Sequence, residues 1–320
     1  MHILYGFSRR KGPNHMIIYR SIDTLAKDLG FSPKTLYAVS YQTDRHYEQV
    51  SFACGGKTRL LSVPDPLLKS IQRSIYRNLL CHMPVSPCAA AYRFGTSIAQ
   101  HARLHAGQKL VYQMDIQNFF DHILYSTVKD KAFPEIIYSP SLRILLTMLC
   151  YYRDRLPQGA PTSPVIANLV LKDFDEKVCA WCRQRHIRYS RYCDDLTFSG
   201  SFDPVSLYEF VKGALYQEGF YLNPKKTRLL SQSRRQTVTG LVVNQQVSVP
   251  SAYRRQVKQE IYYCQKYGIT AHMSRQNIAD TPEHYLRSLL GRVDFILYYH
   301  QDASWAMDGR QWLITQLKNF

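Results

Sequence analysis

The stretch RYCDDLTFSG, residues 191–200, constrains the fold of this chain more than any other segment. Two adjacent carboxylates, Asp194 and Asp195, stand between IRYSRY and LTFS, runs whose β-branched and aromatic residues favour strands. The segment therefore predicts a β-hairpin with an acidic tip. Asp is common in turns and tolerates their backbone angles, so for the pair taken alone a solvated turn is the plainer reading. No Gly follows the pair, however, and the usual Asp-Gly hairpin signal is absent. A second acidic site, YQMDIQNFFDHI at 112–123, ends the strand-like run KLVYQMD on Asp115. A charge at the end of an apolar strand is costly unless something pairs with it. A metal ion is one such partner; a capping role is the plainer alternative.

The chain that carries these sites has 320 residues, a length for about two domains. Hydrophobic residues make up 45%, which excludes a disordered chain. Lys and Arg number 41 against 24 acidic residues, a net charge of +17 that points to a polyanion partner. With 24 Tyr and 14 Phe available to stack on bases, nucleic acid leads among partner classes. The longest nearly apolar run, LRILLTMLCYY at 142–152, is too short to span a bilayer and contains Arg143. The start, MHILYGFSRRKG, lacks the pattern of a secretory signal. The eight cysteines are scattered, and Cys179 and Cys182 form one CxxC without a second pair at zinc spacing. They read as packing thiols, and the protein as cytoplasmic and reduced.

Along the chain, Leu25, Ala26 and Leu29 recur at helical spacing, Gly30 ends that helix, and Ser32 with Pro33 opens another. This pair resembles a helix-turn-helix, the basis of a rival, non-catalytic DNA-binding reading. YEQVSFA and KTRLLSV predict a hairpin around Gly55-Gly56, and Pro66 opens a helix. Helical patterns follow at 136–152, 165–182 and 204–218, a strand at 219–223, and a strand pair in TVTGLVVN/QQVSVP. Residues 251–320 read as helical and basic. Strands mixed with helices, without strict alternation, predict an α+β fold.

Two further segments carry turn chemistry and charge: LPQGAPTSPVIANLV at 156–170, with Gly159 in a Pro-rich turn, and GFYLNPKKTRL at 219–229. A strand ending in Asp, then PQGAPTSP, YCDD and LNPKKT, in this order and spacing, resembles the reverse transcriptases. VTGLVV at 238–243 and LLGRVDFILYY at 289–299 resemble retron enzymes of bacteria. The resemblance covers roughly residues 20–300. One departure lies at HARLH, 101–105, where His101 stands in place of the Asn that retron enzymes carry. Another is Cys193, where Ala is usual.

The resemblance implies a right-hand polymerase: an N-terminal helical segment at 1–50, fingers at 51–108, a palm at 109–248 with a fingers insertion near 125–160, and a helical thumb at 249–320. It implies two Mg²⁺ ions on Asp115, Asp194 and Asp195, with the Ile116 carbonyl as a further ligand. Lys57 and Arg59 would contact the triphosphate, and Gln158 and Gly159 would line the nucleotide pocket. Phe120 would exclude a ribose 2′-OH, unless Phe119 and Phe120 are both core. Lys226 would protonate the leaving pyrophosphate, unless it belongs to a solvated basic turn. Arg254, Arg255, Lys258, Tyr262 and Lys266 lie off the apolar stripe of the helix at 251–268 and form a candidate RNA-binding face. The implied partners are deoxynucleoside triphosphates, a structured noncoding RNA copied into RNA-linked DNA (msDNA), and an effector protein acting in defence against phage. An intron-type or diversity-generating reverse transcriptase is the alternative within the same chemistry.

Overall fold

The computed structural model describes residues 18–54 and 57–320, with side chains described outside 53–59. Helices α1 (Ile22–Leu29) and α2 (Pro33–Tyr41) form the expected pair: Gly30 closes the first in the left-handed region, and Ser32 caps the second by accepting from the Thr35 amide. Strands β1 (Tyr47–Cys54) and β2 (Lys57–Pro64) make an antiparallel ribbon. Then come α3 (Pro66–Asn78), α4 (Ile98–Leu104), β3 (Leu110–Asp115), α5 (Phe119–His122), α6 (Tyr125–Ala132) and α7 (Pro140–Cys150). The helix expected from 136 starts later because Pro140 takes its first position and drives the preceding residue out of helical conformation.

The pattern at 165–182 is two helices, α8 (Ser163–Val170) and α9 (Lys172–Gln184), separated at Leu171. Strands β4 (Arg188–Tyr192) and β5 (Asp195–Gly200) follow, then α10 (Pro204–Gln217). The strand expected at 219–223 reduces to one bridge, Ile116 to Leu222; Gly219 turns left-handed before it and Pro224 cuts it short. The regular strand here is β6 (Arg228–Ser231), beyond the paired lysines. The chain ends with β7 (Thr237–Val238), β8 (Leu241–Val242), α11 (Ser251–Tyr267), α12 (Ile269–Arg275), α13 (Pro282–Tyr299) and α14 (Ser304–Leu317).

Two compact units divide the chain: residues up to Ser86 with Asn118–Asp173, and Pro87–Gln117 with Phe174–Phe320. In the first, α3 packs on α1 and α7 through buried Leu25, Leu68, Ile71 and Ile75. In the second, an antiparallel sheet runs in the order β4-β5-β3-β6. Its central strands are covered on both faces, so β5 is buried from Leu196 to Gly200 rather than alternating. Val111 of β3 shares one core with Val238 and Leu241 and with Val257, Ile261, Leu289, Val293 and Leu313 of the C-terminal helices.

Candidate active site

The register of the second unit assembles the acidic residues. Strand β3 pairs with β5 so that Asp115 lies opposite Asp195, and the Ile116 amide donates to the Asp194 carbonyl at 3.0 Å. Tyr192 pairs with Asp195 across β4 and β5, leaving Cys193 and Asp194 as a two-residue turn. Cys193 has φ +61°, the left-handed region in which such hairpins usually place Gly. This resolves the missing Gly signal: the turn is made by a residue that tolerates the conformation poorly, at a cost on the order of 1–3 kcal/mol.

Asp115 is 5% exposed. Its Oδ1 receives Lys226 Nζ at 2.6 Å, while its buried Oδ2 has no hydrogen-bond partner among the described residues. Lys226 is brought there by a turn tied to the end of β3: the Asn223 amide donates to the Asp115 carbonyl at 2.8 Å, and the Lys226 amide to the Asn223 carbonyl at 3.2 Å. The hydrogen bond to Asp115, reinforced by all three carboxylate charges, raises the lysine pKa above its usual range. The Asp195 carboxyl is pushed up to about 6, first by desolvation and then by the charges of Asp194 and Asp115. Because Asp195 as a residue is exposed, the like-charge crowding is the firmer cause.

Crowded carboxylates with an orphaned buried oxygen fit a divalent cation. Among the described residues no three Asp, Glu, His or Cys side chains close around a common point as a finished cage. Mg²⁺ does not require one, since it is commonly held by one or two carboxylates and completed by substrate phosphates and water.

Behind the hairpin lies a polar layer whose Arg191 and Asp175 the sequence patterns did not single out. Arg191, fully buried, gives Nε and Nη2 to Asp175 of α9 at 2.9 and 2.6 Å and Nη1 to the Cys193 carbonyl at 2.9 Å. Asp175 also accepts from the Tyr189 hydroxyl at 2.7 Å. His105, equally buried, bridges Ser199 of β5 and Ser190 of β4 at 2.7 Å on each ring nitrogen. Two hydroxyls, each able to donate or accept, suit a neutral imidazole. Burial lowers its pKa to about 3 and that of His101 to about 4. His101 stacks on Tyr192 with ring centroids 5.6 Å apart, and neither of its ring nitrogens has a partner among the described residues.

The remaining candidates stand elsewhere. In the first unit Phe119 is buried while Phe120 is half-buried, so the two rings are not both core. The Gln158 carbonyl accepts from the Ser62 amide at 2.9 Å, and Gly159 has φ +131°. Lys57 and Arg59 lie in β2, but their side chains fall outside those described. Ile116 is buried against Leu222. On α11, Arg255, Lys258, Tyr262 and Lys266 are exposed and Arg254 is half-buried, while Val257, Ile261 and Cys264 face the core.

The profile of the reverse transcriptase (RNA-dependent DNA polymerase) family matches residues 51–248, and the chain belongs to that family. A retron reverse transcriptase of Escherichia coli, Ec83, is 30% identical over 64% of this chain and 70% of its own length. Another from the same organism, Ec86, is 28% identical over 77% of this chain and 78% of its own. The Mx65 enzyme of Myxococcus xanthus is 32% identical over 71% of this chain, which spans 59% of that protein. Within the family, the chain's place is among the bacterial retron reverse transcriptases. Its enzyme class is RNA-directed DNA polymerase, its fold class α+β as expected, and dependence on a divalent metal comes with the class. The non-catalytic helix-turn-helix reading is set aside. No helix among the described residues is long and apolar enough to cross a membrane.

Proposed function

We propose that this chain copies a structured noncoding RNA into RNA-linked single-stranded DNA, priming from a 2′-OH of that RNA, in the bacterial cytoplasm and beside an effector protein in defence against phage. The observation that carries the reading is the register that sets Asp115 opposite Asp195, next to a turn that presents Asp194. Asp115, Asp194, Asp195 and the Ile116 carbonyl would hold two Mg²⁺ ions. When bound, such ions stabilise the attacking and leaving oxygens of an in-line phosphoryl displacement. Lys226 stays protonated because Asp115 holds its ammonium, and it is the proton source for the leaving pyrophosphate. Lys57, Arg59, Gln158 and Gly159 bind the incoming nucleotide, and the Phe120 ring excludes its 2′-OH. Arg254, Arg255, Lys258, Tyr262 and Lys266 grip the RNA.

The test is to purify the protein with its bound nucleic acid, supply deoxynucleotides and Mg²⁺, and sequence the product before and after debranching. The expected product is DNA joined to one RNA species through a 2′ linkage. Product that is always free DNA, whatever the RNA, overturns the reading. In the same assay Phe120→Val raises ribonucleotide incorporation by roughly ten- to two-hundredfold, the worth of about 1–3 kcal/mol of lost exclusion. Unchanged sugar choice removes Phe120 from the pocket.

A further inference from the structure

The buried pair behind the hairpin is an expensive way to join a helix to a strand. Arg191 and Asp175 are both 0% exposed at the side chain, and their guanidinium and carboxylate meet in a two-point fork. Replacing a buried ion pair of this kind by apolar residues of similar volume is often neutral or stabilising, so stability is a weak reason for it to be there. What apolar residues cannot supply is the third arm of the guanidinium, the 2.9 Å hydrogen bond to the Cys193 carbonyl. That carbonyl belongs to the one residue of the turn in the left-handed region, immediately before Asp194. The same arginine is held along its backbone as well: its amide donates to the Cys88 carbonyl at 2.8 Å, and its carbonyl accepts from the Ala90 amide at 2.7 Å. A strained turn persists only where its surroundings over-determine it. Here helix α9 and the 88–90 segment hold Arg191, and its guanidinium holds the peptide that aims the acidic pair.

We propose that Arg191 and Asp175 are positioning residues for polymerisation: by fixing the Cys193 peptide in its left-handed turn they set where the Asp194 and Asp195 carboxylates point. Tyr189 belongs to the device as the second residue that donates to Asp175. The inference rests on the reading of Asp194 and Asp195 as carboxylates of the polymerase site, and the two fail differently. If that reading is wrong, Asp194→Asn leaves synthesis intact; if only the positioning is wrong, Asp194→Asn abolishes synthesis while the buried network is dispensable.

The deciding variant is Asp175→Leu/Tyr189→Phe/Arg191→Met, which removes both ends of the buried ion pair together with the Tyr189 hydroxyl and releases the Cys193 carbonyl. Its thermal unfolding midpoint stays near that of the unmodified protein. Its primer-extension rate constant falls by about a hundredfold, the effect of a misplacement of about 1 Å, with the KM for deoxynucleotide changed by much less. Mn²⁺ binding in the absence of nucleotide, followed by electron paramagnetic resonance, weakens in parallel. Adding Cys193→Gly restores at least part of the rate and of the Mn²⁺ affinity, because Gly adopts the turn conformation without a Cβ penalty. Normal rate and Mn²⁺ affinity in the apolar variant overturn the proposal, as does a loss of rate that Cys193→Gly leaves untouched. Should the apolar variant fail to fold, Arg191→Lys decides: it keeps a cation beside Asp175 but loses the fork and the reach to Cys193. It shows the same paired loss of rate and Mn²⁺ affinity, and a normal enzyme at that position overturns the proposal.

Discussion

The β4–β5 hairpin and helix α11 are both charged, yet their charges keep different company. Around the hairpin the ions are matched by protein partners, Arg191 with Asp175 in full burial and the exposed Lys226 with the buried Asp115. On α11, Lys258 lies over the Trp305 ring and Lys266 over Tyr262 and Tyr267, at 5–6 Å from ring centroids and in contact with water. A buried pair gains little net stability but fixes a geometry. An exposed cation fixes none; it stays hydrated and acts through attraction that salt screens. The first arrangement suits a site that must hold atoms in place, and the second a surface that must meet a long polyanion in many registers.

That contrast breaks most visibly at Asp194. Asp194→Asn keeps the shape of the turn and removes one charge, so primer extension falls by several orders of magnitude while the unfolding midpoint barely moves. Near-normal extension by a folded variant ends the assignment. On α11 the expected effect is graded. Arg255→Gln/Lys258→Gln/Lys266→Gln weakens binding of the structured RNA and lowers the slope of log affinity against log salt by roughly 0.7–0.9 for each lost phosphate contact. Extension of a generic annealed primer-template at high concentration changes much less. An unaltered slope means the face is only solvated.

The smallest effect concerns the two histidines behind the hairpin. Burial depresses both in the folded state, His101 to about 4 and His105 to about 3, against 6.5 when unfolded. A base depressed by folding contributes stability that is present above its unfolded pKa and is lost as pH falls. The unfolding free energy therefore declines from about pH 6.5 towards 4. His101→Phe keeps a ring against Tyr192 and deletes the proton that His101 takes up on unfolding. The decline shallows by up to about 1.4 kcal/mol per pH unit, measured by denaturant unfolding across that range. An unchanged slope would mean that His101 is not a buried neutral base.

The acidic residues were legible because their spacing is local: Asp194 and Asp195 are neighbours, and Asp115 closes a strand. The ribbon β1–β2 and the α1–α2 pair were legible for the same reason, since caps and turns announce themselves within a few residues. Arg191 was not. In the strand RYSRY it reads as one more alternating polar residue, and Asp175 as one more acid on a helix; only packing reveals that each is the other's partner. The strand expected at 219–223 does not form because 221 and 222 meet 116 and 117 through one backbone hydrogen bond and one bridge and not through a ladder. The break between α8 and α9 escaped because apolar periodicity runs through both.

Gly159 has a mechanical consequence. A Cβ there would sit 2.6 Å from the Ser62 carbonyl oxygen, on a backbone at φ +131° that side chains rarely adopt. Any other residue type would pry the 157–161 turn away from β2 and take with it the Ser62–Gln158 hydrogen bond. Turn and ribbon are thus spliced backbone to backbone, with Gln158 held against Ser62. One methyl group at this splice would uncouple the two, and its effect would be felt along the length of the ribbon.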